Sequence, residues 1–328
     1  MKVMPAISSL GYSVYPVILE TTYGSIGSIN CYVINDGDSL TLIDAGIDTD
    51  LYWEEFIRVL KKNGFVVSDI DRILLTHHHE DHVGLVKRIL AIKKIPVYAH
   101  VEAVPRLKMD QAFLTMRQNF FKKMYEEMNC LEEAQFRLAK LEDTLANAKA
   151  LAIQVDIIPL KQGDKVGDYT VIETPGHSPD SICFYDEKRK WLFSGDLLLS
   201  KSSTNAIIEP DSEGIRLKTV IQQRESLRKC ASIEAELLFP GHQYVIENHR
   251  TLIEKKIQKM DDKAERMISF IQGGIEKAND LAEAYYKSKY KEEFSLVMSE
   301  IVGYLDYLEE SNRIIKVKKD GIWHYLLA

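Results

Sequence analysis

Short runs of apolar or alternating residues, separated by turn-forming residues, characterise the first part of the chain. This pattern is typical of short strands joined by tight turns. It predicts strands at Ser13–Leu19, Ile29–Asn35 and Ser39–Ile43, with turns at Tyr23-Gly24-Ser25 and Asn35-Asp36-Gly37. We therefore expect a meandering antiparallel sheet at the start of the fold.

The period of the apolar positions then changes to that of a helix. Residues Thr49–Asn63 carry one apolar face and are followed by Gly64, which is typical of the end of a helix. The apolar run Ile70–Leu75 predicts a buried strand, Gly84–Ile92 a second helix and Ile95–Ala99 a further strand. Such an alternation of strands and helices predicts an α/β fold.

A helical insertion is predicted at about residues 102–153. The spacing of apolar residues there fits two amphipathic helices, Asp110–Met128 and Leu131–Leu151. Their Met and Phe side chains form an apolar stripe, and such stripes are most often ordinary core. The alternative, which we also consider, is that the insertion covers a binding site and shapes its pocket.

The remaining part of the chain returns to strands and then becomes helical. Strands are predicted at 156–159, 165–174, 181–185, 191–193 and 236–239, and a helix at 217–230. A polar loop at 201–214 is expected at the surface, and the sequence leaves open that it borders the pocket. Beyond Glu247, helices are predicted at 249–272, 275–288 and 296–311, followed by a hairpin around Lys319-Asp320-Gly321.

Composition places this chain of 328 residues among ordinary globular proteins, with 45% hydrophobic and 28% charged residues. A net charge of −7 gives no general attraction to nucleic acid. We find neither a signal peptide nor an apolar run of membrane-spanning length, so a cytoplasmic protein without membrane contact is expected. The four cysteines, which form no C-x-x-C pair, are expected to be buried free thiols.

The densest polar cluster lies directly after a predicted buried strand. The six residues His77–His82 comprise four imidazoles and two carboxylates, a concentration that neither packing nor helix capping requires. Three further polar residues, His177, Asp196 and His242, each follow a glycine beside a predicted strand. Imidazole and carboxylate are the usual ligands of zinc in catalytic sites, so the sequence predicts a metal site with enough ligands for two ions.

This ordered pattern resembles the metallo-β-lactamase-fold hydrolases. It consists of His77-x-His79-x-Asp81-His82 followed by His177, Asp196 and His242, and the segment Thr41–Gly46 is similar to the family's early strand and turn. The resemblance covers roughly residues 10–250. It implies a four-layer αββα sandwich at residues 1–246, while residues 247–328 resemble the small winged-helix domain that some members carry.

The resemblance also implies a role for each ligand. His77, His79 and His177 would bind one metal, Asp81, His82 and His242 a second, and Asp196 would bridge both. Two Zn²⁺ ions are expected, with Fe or Mn as alternatives, and a hydroxide shared between them would be the nucleophile. Asp81 and Asp196 would be the catalytic residues, with Asp81 as a proton carrier.

Two further residues have two open interpretations each. Asp44 either orients a metal ligand, as the resemblance implies, or simply stabilises the turn in which it lies. Tyr244 either reaches a substrate oxygen or anchors the start of a helix. His78 and Glu80 are expected to point away from the metals, and His100, His249 and His324 to be structural.

The expected function is hydrolysis of a small ester, thioester or lactone. One alternative is cleavage of single-stranded RNA, because Arg313, Lys316, Lys318 and Lys319 cluster on the presumed wing, although a solvated charged hairpin is the ordinary explanation of these four residues. A mononuclear iron dioxygenase is a second alternative, and a binding module with a vestigial pocket a third. Nucleic acid is thus an open but not favoured partner, and the sequence also leaves a homodimer open.

Overall fold

The computed structural model describes residues 6–21 and 26–328. The predicted turn at Tyr23-Gly24-Ser25 and the residues before Ala6 lie outside this range. Seven strands form the first sheet in chain order: β1 (Ile7–Ser9), β2 (Tyr12–Glu20), β3 (Ser28–Asn35), β4 (Leu40–Ile43), β5 (Ile70–Leu74), β6 (Val97–His100) and β7 (Ile157–Leu160). Strands β1 to β4 pair antiparallel, which confirms the meander, and β4 to β7 pair parallel.

The second sheet has five strands in the order β12-β11-β10-β9-β8. Its members are β8 (Lys165–Val166), β9 (Tyr169–Glu173), β10 (Ile182–Asp186), β11 (Trp191–Gly195) and β12 (Leu237–Pro240). Only β11 and β12 pair parallel, and α8 (Thr219–Ala231) connects them. A parallel pair needs such a crossover, so the carboxyl ends of β11 and β12 lie at the same edge of the sheet.

An aromatic core holds the two sheets face to face. The ring of Tyr32 on β3 contacts Phe193 and Phe239 of the second sheet edge-on, with centroids 5.6 and 5.4 Å apart. Phe193 and Phe239 stack on each other at 4.6 Å. Such pairs add stabilisation beyond the burial of their area, and they fix the position of one sheet on the other.

Helices cover the outer face of each sheet, which completes the predicted four-layer αββα sandwich. On the first sheet lie α1 (Asp50–Lys62) and α3 (Val86–Ile92), preceded by the short α2 (Glu80–Val83). On the second sheet lie α8 and α9 (His249–Gln272). The Thr49 hydroxyl caps α1 by accepting a hydrogen bond from the Tyr52 amide, which explains why this helix begins where the sequence predicted.

The insertion and the C-terminal region supply the remaining elements. The insertion contains α4 (Val104–Leu107), α5 (Gln111–Glu127), α6 (Gln135–Ala146) and α7 (Ala148–Leu151), so the single helix predicted at 131–151 is broken. After α9 come α10 (Ala278–Tyr286), α11 (Ser288–Glu292), α12 (Phe294–Glu310), β13 (Ile314–Lys319) and β14 (Ile322–Leu327). The order of the C-terminal elements matches the prediction except for α11, which the sequence did not reveal. Whether they form a winged-helix domain stays a prediction.

One apolar core joins the insertion to the C-terminal region. Phe121 and Tyr125 of α5, and Met128 directly after it, belong to the same buried cluster as Ile301 and Leu305 of α12. The hydroxyl of Tyr325 on β14 also lies 3.5 Å from the Met128 sulfur. The apolar stripe of the insertion is thus core, as the simpler interpretation held, but its partner is the C-terminal region.

None of the helices within the described ranges has the length and apolar character that a bilayer span requires. All four cysteines are buried and free, as expected.

The shared core yields a prediction about stability. Leu305 is fully buried, and Leu305→Ala should lower the free energy of unfolding by about 2–5 kcal/mol because it leaves a cavity in the apolar cluster that α12 shares with α5. Ile315→Ala, at a side chain that is 49% exposed, is the control and should change little. Urea unfolding measures both, and equal effects of the two variants would contradict a shared core.

Candidate metal site

The predicted ligands lie in loops that follow strands or, for Asp81 and His82, in the short helix α2. His77, His79, Asp81 and His82 follow β5, His177 lies between β9 and β10, Asp196 follows β11 and His242 follows β12. The structure brings these seven side chains together in three overlapping groups: His77 with His79 and His177, His77 with His82 and Asp196, and Asp81 with His82 and His242. Residues separated by 165 positions in the chain, His77 and His242, therefore meet at one edge of the sandwich.

The first group has the spacing of ligands around one ion. The Nδ1 atom of His79 lies 3.0 Å from Nε2 of His77 and 3.0 Å from Nε2 of His177. Metal–nitrogen bonds of about 2.0–2.1 Å in a tetrahedral site place neighbouring ligand atoms roughly 3.3 Å apart. These three nitrogens therefore fit a single cation.

Asp196 lies between this first group and the group formed by Asp81, His82 and His242, which we call the second group. Its Oδ2 atom is 3.5 Å from Nε2 of His177 and 3.1 Å from Nε2 of His242, and its Oδ1 atom is 3.4 Å from Nε2 of His82. Asp81 completes the second group, with Oδ2 at 3.4 Å from Nε2 of His242. One carboxylate thus faces imidazoles of both groups, which is the position required of a bridging ligand.

Hydrogen bonds on the far side of the rings fix the direction of the facing nitrogens. Nδ1 of His177 donates to the Asn205 carbonyl at 2.8 Å, and Nδ1 of His242 donates to the Ser28 carbonyl at 2.6 Å. Both rings must therefore carry their proton on Nδ1, which leaves Nε2 free to bind a metal.

Asp44 orients His82 in the same way. Its Oδ2 accepts hydrogen bonds from Nδ1 of His82 and from the Thr76 hydroxyl, both at 2.8 Å, and its Oδ1 accepts one from the Thr76 amide at 2.8 Å. Asp44 adopts a left-handed backbone with φ of +56°, which few non-glycine residues do. Of the two interpretations of Asp44, these contacts favour the orienting role.

The electrostatics of the first group favour neutral imidazoles. Burial lowers the pKa of His77, His79 and His177, and the neighbouring imidazoles lower the pKa of His77 and His79 further. A neutral imidazole is the form that binds a metal ion.

The second group has the opposite balance. Burial disfavours protonation of His82 and His242, yet the Asp196 carboxylate raises the pKa of both rings. Burial also raises the pKa of the Asp196 carboxyl. The positive charge on His242 and His82 outweighs this effect and holds the pKa of Asp196 well below the usual range. Since Nε2 of His82 and Oδ1 of Asp196 are also buried without a hydrogen-bond partner, this group fits a cation.

Gly241 provides the space for this arrangement. A Cβ atom at this position would lie 2.4 Å from Cε1 of His82 and 2.6 Å from Oδ1 of Asp196. Any side chain there would displace two of the candidate ligands, so the close approach of backbone and site requires glycine.

A cavity of about 860 Å³ opens from the site. His79 and Asp81 line it on the side of the candidate ligands, and Phe121 and Tyr125 of α5 line it on the side of the insertion. The insertion therefore forms part of the cavity wall; that it shapes the substrate pocket stays a prediction. Ser295, Leu296 and Ser299 of α12 also line the cavity, a contribution that no local pattern in the sequence signals.

Two other expectations concern residues around the ligands. His78 lies outside the three groups of candidate ligands, as expected; its Nδ1 lies 2.7 Å from Oδ1 of the buried Asp180, and the residue also lines the cavity. The segment 201–214 borders the cavity through Ile207, although Ala206, Ile208 and Glu209 are buried rather than at the surface.

The structure does not place Tyr244 in this cavity. The left-handed backbone of Gln243, with φ of +67°, turns the chain directly after His242. The Tyr244 side chain is 54% exposed, and the Lys201 ammonium lies 4.7 Å from its ring centroid. His100 and His324, expected to be structural, lie 3.0 Å from carboxylates of Glu173 and Glu276, away from the candidate ligands.

Comparisons with known proteins agree with this geometry. A family model described as the metallo-beta-lactamase superfamily matches residues 24–242. A probable metallo-hydrolase of Bacillus subtilis (strain 168) is 31% identical over 88% of this chain and 90% of its own length. A hydroxyacylglutathione hydrolase of Bdellovibrio bacteriovorus is 29% identical over 55% of this chain and 52% of its own length.

A solved structure is similar over almost the whole chain. It is a metallo-beta-lactamase family protein of Thermus thermophilus, with a TM-score of 0.74 and 22% identity over 96% of this chain and 98% of that one. At this identity the likeness concerns the fold, and it includes the insertion and the C-terminal region.

The contacts of Asp44 yield a prediction about metal affinity. Asp44→Asn replaces an oxygen that accepts two hydrogen bonds with an amide, so His82 loses its support and metal affinity should fall about ten- to a hundredfold. Competition with a chelator measures this affinity. Asp38→Asn, at an exposed residue, is the matched control; an Asp44→Asn protein that binds metal as tightly as this control would refute the orienting role.

Proposed function

Because this chain belongs to the metallo-beta-lactamase superfamily and is a metal-dependent hydrolase, we propose that it uses two divalent cations to cleave a small ester, thioester or lactone. The observation that carries the proposal is the position of Asp196 between two groups of ligands. A site for one cation would need no carboxylate in contact with both groups.

The proposed ligands divide as the distances do. His77, His79 and His177 would hold one cation, Asp81, His82 and His242 the other, and Asp196 would bind both. Five imidazoles and two carboxylates are a donor set that suits zinc, and iron and manganese are the alternatives. When bound, such ions supply an acidified water and stabilise negative charge on oxygen.

The protein's own residues would complete the chemistry. Asp81 is the more exposed of the two candidate carboxylates, with 23% of its side chain accessible against 8% for Asp196, and it lines the cavity. A carboxylate in that position can take a proton from an attacking water and return it to the leaving group. Asp196 is too enclosed for that task and would serve as a ligand alone.

The walls of the cavity support an acyl substrate. Leu19, Ile29, Ile47, Ile207 and Leu296 line it, so apolar surface lies next to the candidate ligands. Cavities of about 300–1,000 Å³ with mostly apolar walls are typical of small-molecule sites. The relative named hydroxyacylglutathione hydrolase supports a thioester in particular, since its name states that it cleaves an acyl-glutathione.

No structural observation favours the RNA alternative. Each of the four cations on the presumed wing contacts a carboxylate: Arg313 with Glu265, Lys316 with Glu309, Lys318 with Glu127 and Lys319 with Glu276. Nucleic-acid binding depends on Lys and Arg side chains that are available to neutralise phosphates and so release the counterions condensed on the nucleic acid. The paired wing therefore offers little of the required charge, and we propose no nucleic-acid substrate.

Elemental analysis combined with a hydrolysis panel tests the proposal. We expect two metal ions per chain, and cleavage of a lactone or a thioester that stops on chelation and returns on addition of Zn²⁺. Asp196→Ala should bind fewer ions and lose more activity than the roughly hundredfold that loss of an outer hydrogen bond costs. Asp38→Ala is the control, and full metal content together with full turnover in Asp196→Ala would overturn the proposal.

The apolar wall yields a prediction about selectivity. Leu296→Trp fills part of the cavity and should raise the KM for a hexanoyl thioester roughly tenfold more than that for an acetyl thioester. Leu151→Trp, at an exposed residue of α7 that does not line the cavity, is the matched control. Equal changes for the two thioesters would show that the acyl chain does not lie against α12.

A further inference from the structure

The side of the cavity formed by α5 and α6 of the insertion, here called the covering side, carries several positive charges. Arg117 on α5 and Arg137 and Lys140 on α6 all line it. The two guanidinium groups both lie over the ring of Phe121, at 5.1 and 5.4 Å from its centroid. The aromatic ring therefore holds two like charges close together at an apolar wall, an arrangement that costs free energy unless an anion compensates it.

Within the described part of the chain, only one of the two arginines has a carboxylate partner. Arg117 donates from both Nε and Nη2 to the Glu209 carboxylate, with the Nε bond at 2.7 Å. Arg106 also approaches Glu209, at 3.9 Å. The negative charge of Glu209 is thus already shared between two guanidinium groups before Arg137 is considered.

Arg137 is left without an ion pair. Among the residues that the structure describes, no carboxylate lies within 4.0 Å of its guanidinium or of the Lys140 ammonium, and the Nε of Arg137 is buried without a hydrogen-bond partner. Burial, and then the charge of Arg117, lower the pKa of Arg137, whereas Tyr125 and Glu209 act in the opposite direction, and an arginine stays charged in proteins. Arg137 is therefore a charged side chain beside the cavity whose nearest partner, Tyr125, carries no compensating negative charge.

The positive charge of Arg137 does not stabilise the cations of the proposed metal site, because like charges repel. Metal binding on the other side of the cavity therefore does not explain why an arginine lies here. Nor does it stabilise the fold through an ion pair. A negatively charged group inside the cavity is the partner that its charge, its planar donors and its position fit.

We propose that Arg137, with Lys140 beside it, binds an anionic group, a carboxylate or a phosphate monoester, at the end of the substrate remote from the bond that is cleaved. The inference rests on the proposed hydrolase function. It narrows the substrate class to acyl esters or thioesters that bear a fixed negative charge. The apolar wall formed by Ile207 and Leu296 would contact the chain between the two ends.

Matched substrates test this anion site. The N-acetylcysteamine thioesters of hexanoic acid and adipic acid have the same chain length and differ in one terminal carboxylate. Wild type should prefer the adipoyl thioester, and Arg137→Gln should raise its KM about ten- to a hundredfold, as expected for loss of charge-assisted hydrogen bonds. The KM for the hexanoyl thioester should change less than about twofold, and kcat should hold for both.

Three controls make the result specific. Lys122→Gln removes a cation from the exposed face of α5 and should leave both KM values unchanged. Arg137→Lys should restore part of the preference, because it returns the charge without the planar fork. An analogue ending in a phosphate monoester decides which anion the site prefers. Equal effects of Arg137→Gln on the two thioesters would overturn the proposal.

Binding of uncleavable analogues separates this proposal from the proposed hydrolysis. The thioethers that correspond to the two thioesters cannot be hydrolysed, and calorimetry should find the carboxylate-bearing one bound more tightly by wild type but not by Arg137→Gln. If no thioester is cleaved while this preference is present, the proposed reaction fails and the anion site stands. If wild type cleaves both thioesters but neither KM nor thioether affinity depends on the carboxylate, the anion site fails alone.

Discussion

The burial of the Asp196 carboxylate is the constraint on which the rest of the structure depends. Only 8% of this residue is exposed, and an ionised carboxylate removed from water costs several kcal/mol unless positive charge surrounds it. His82, His177 and His242 surround it, but burial opposes a proton on each of these rings. A bound cation satisfies the carboxylate without charging the imidazoles. The edge of the sandwich is therefore built as a cage that a metal ion completes.

The two sheets must keep a fixed relative position for this cage to exist. His242 leaves the second sheet, yet the carbonyl that orients it belongs to Ser28 at the start of β3 in the first sheet. His82 follows the first sheet, and its Nε2 faces Asp196 at the end of β11 in the second. The aromatic core of Tyr32, Phe193 and Phe239 lies between these strands. Packing deep in the sandwich thus fixes the distances between ligands at its edge, and a functional site needs these distances to be held to within about 0.5 Å.

Local patterns in the sequence were sufficient for most strands and helices, because these depend on residues close together in the chain. They missed β1 and joined β8 and β9 into one strand at 165–174. The N-cap Thr49 marked the start of α1, and the cluster at His77–His82 marked the site. What the sequence could not reveal depends on distant contacts. The carboxylate of Glu209 is buried against Arg117, which lies 92 residues earlier in the chain. Leu296 reaches the cavity because α12 and α5 share one apolar core. The sequence left two interpretations of Tyr244 open, because no pattern signals that Gln243 adopts a left-handed backbone directly after His242.

The covering side of the cavity joins stability to substrate choice. Phe121 belongs to the core that unites the insertion with the C-terminal region, and the same ring lies beneath the guanidinium groups of Arg117 and Arg137. Arg137 is half-buried and has no ion pair among the described residues, so an apolar residue of similar volume in its place would be expected to strengthen the fold. Charge kept at such a position is typical of binding sites, where function is maintained at some cost to stability. If the proposed substrate binds here, the C-terminal region would act on the reaction through packing, because its core with α5 would set where the substrate's far end lies relative to Asp81 and Asp196.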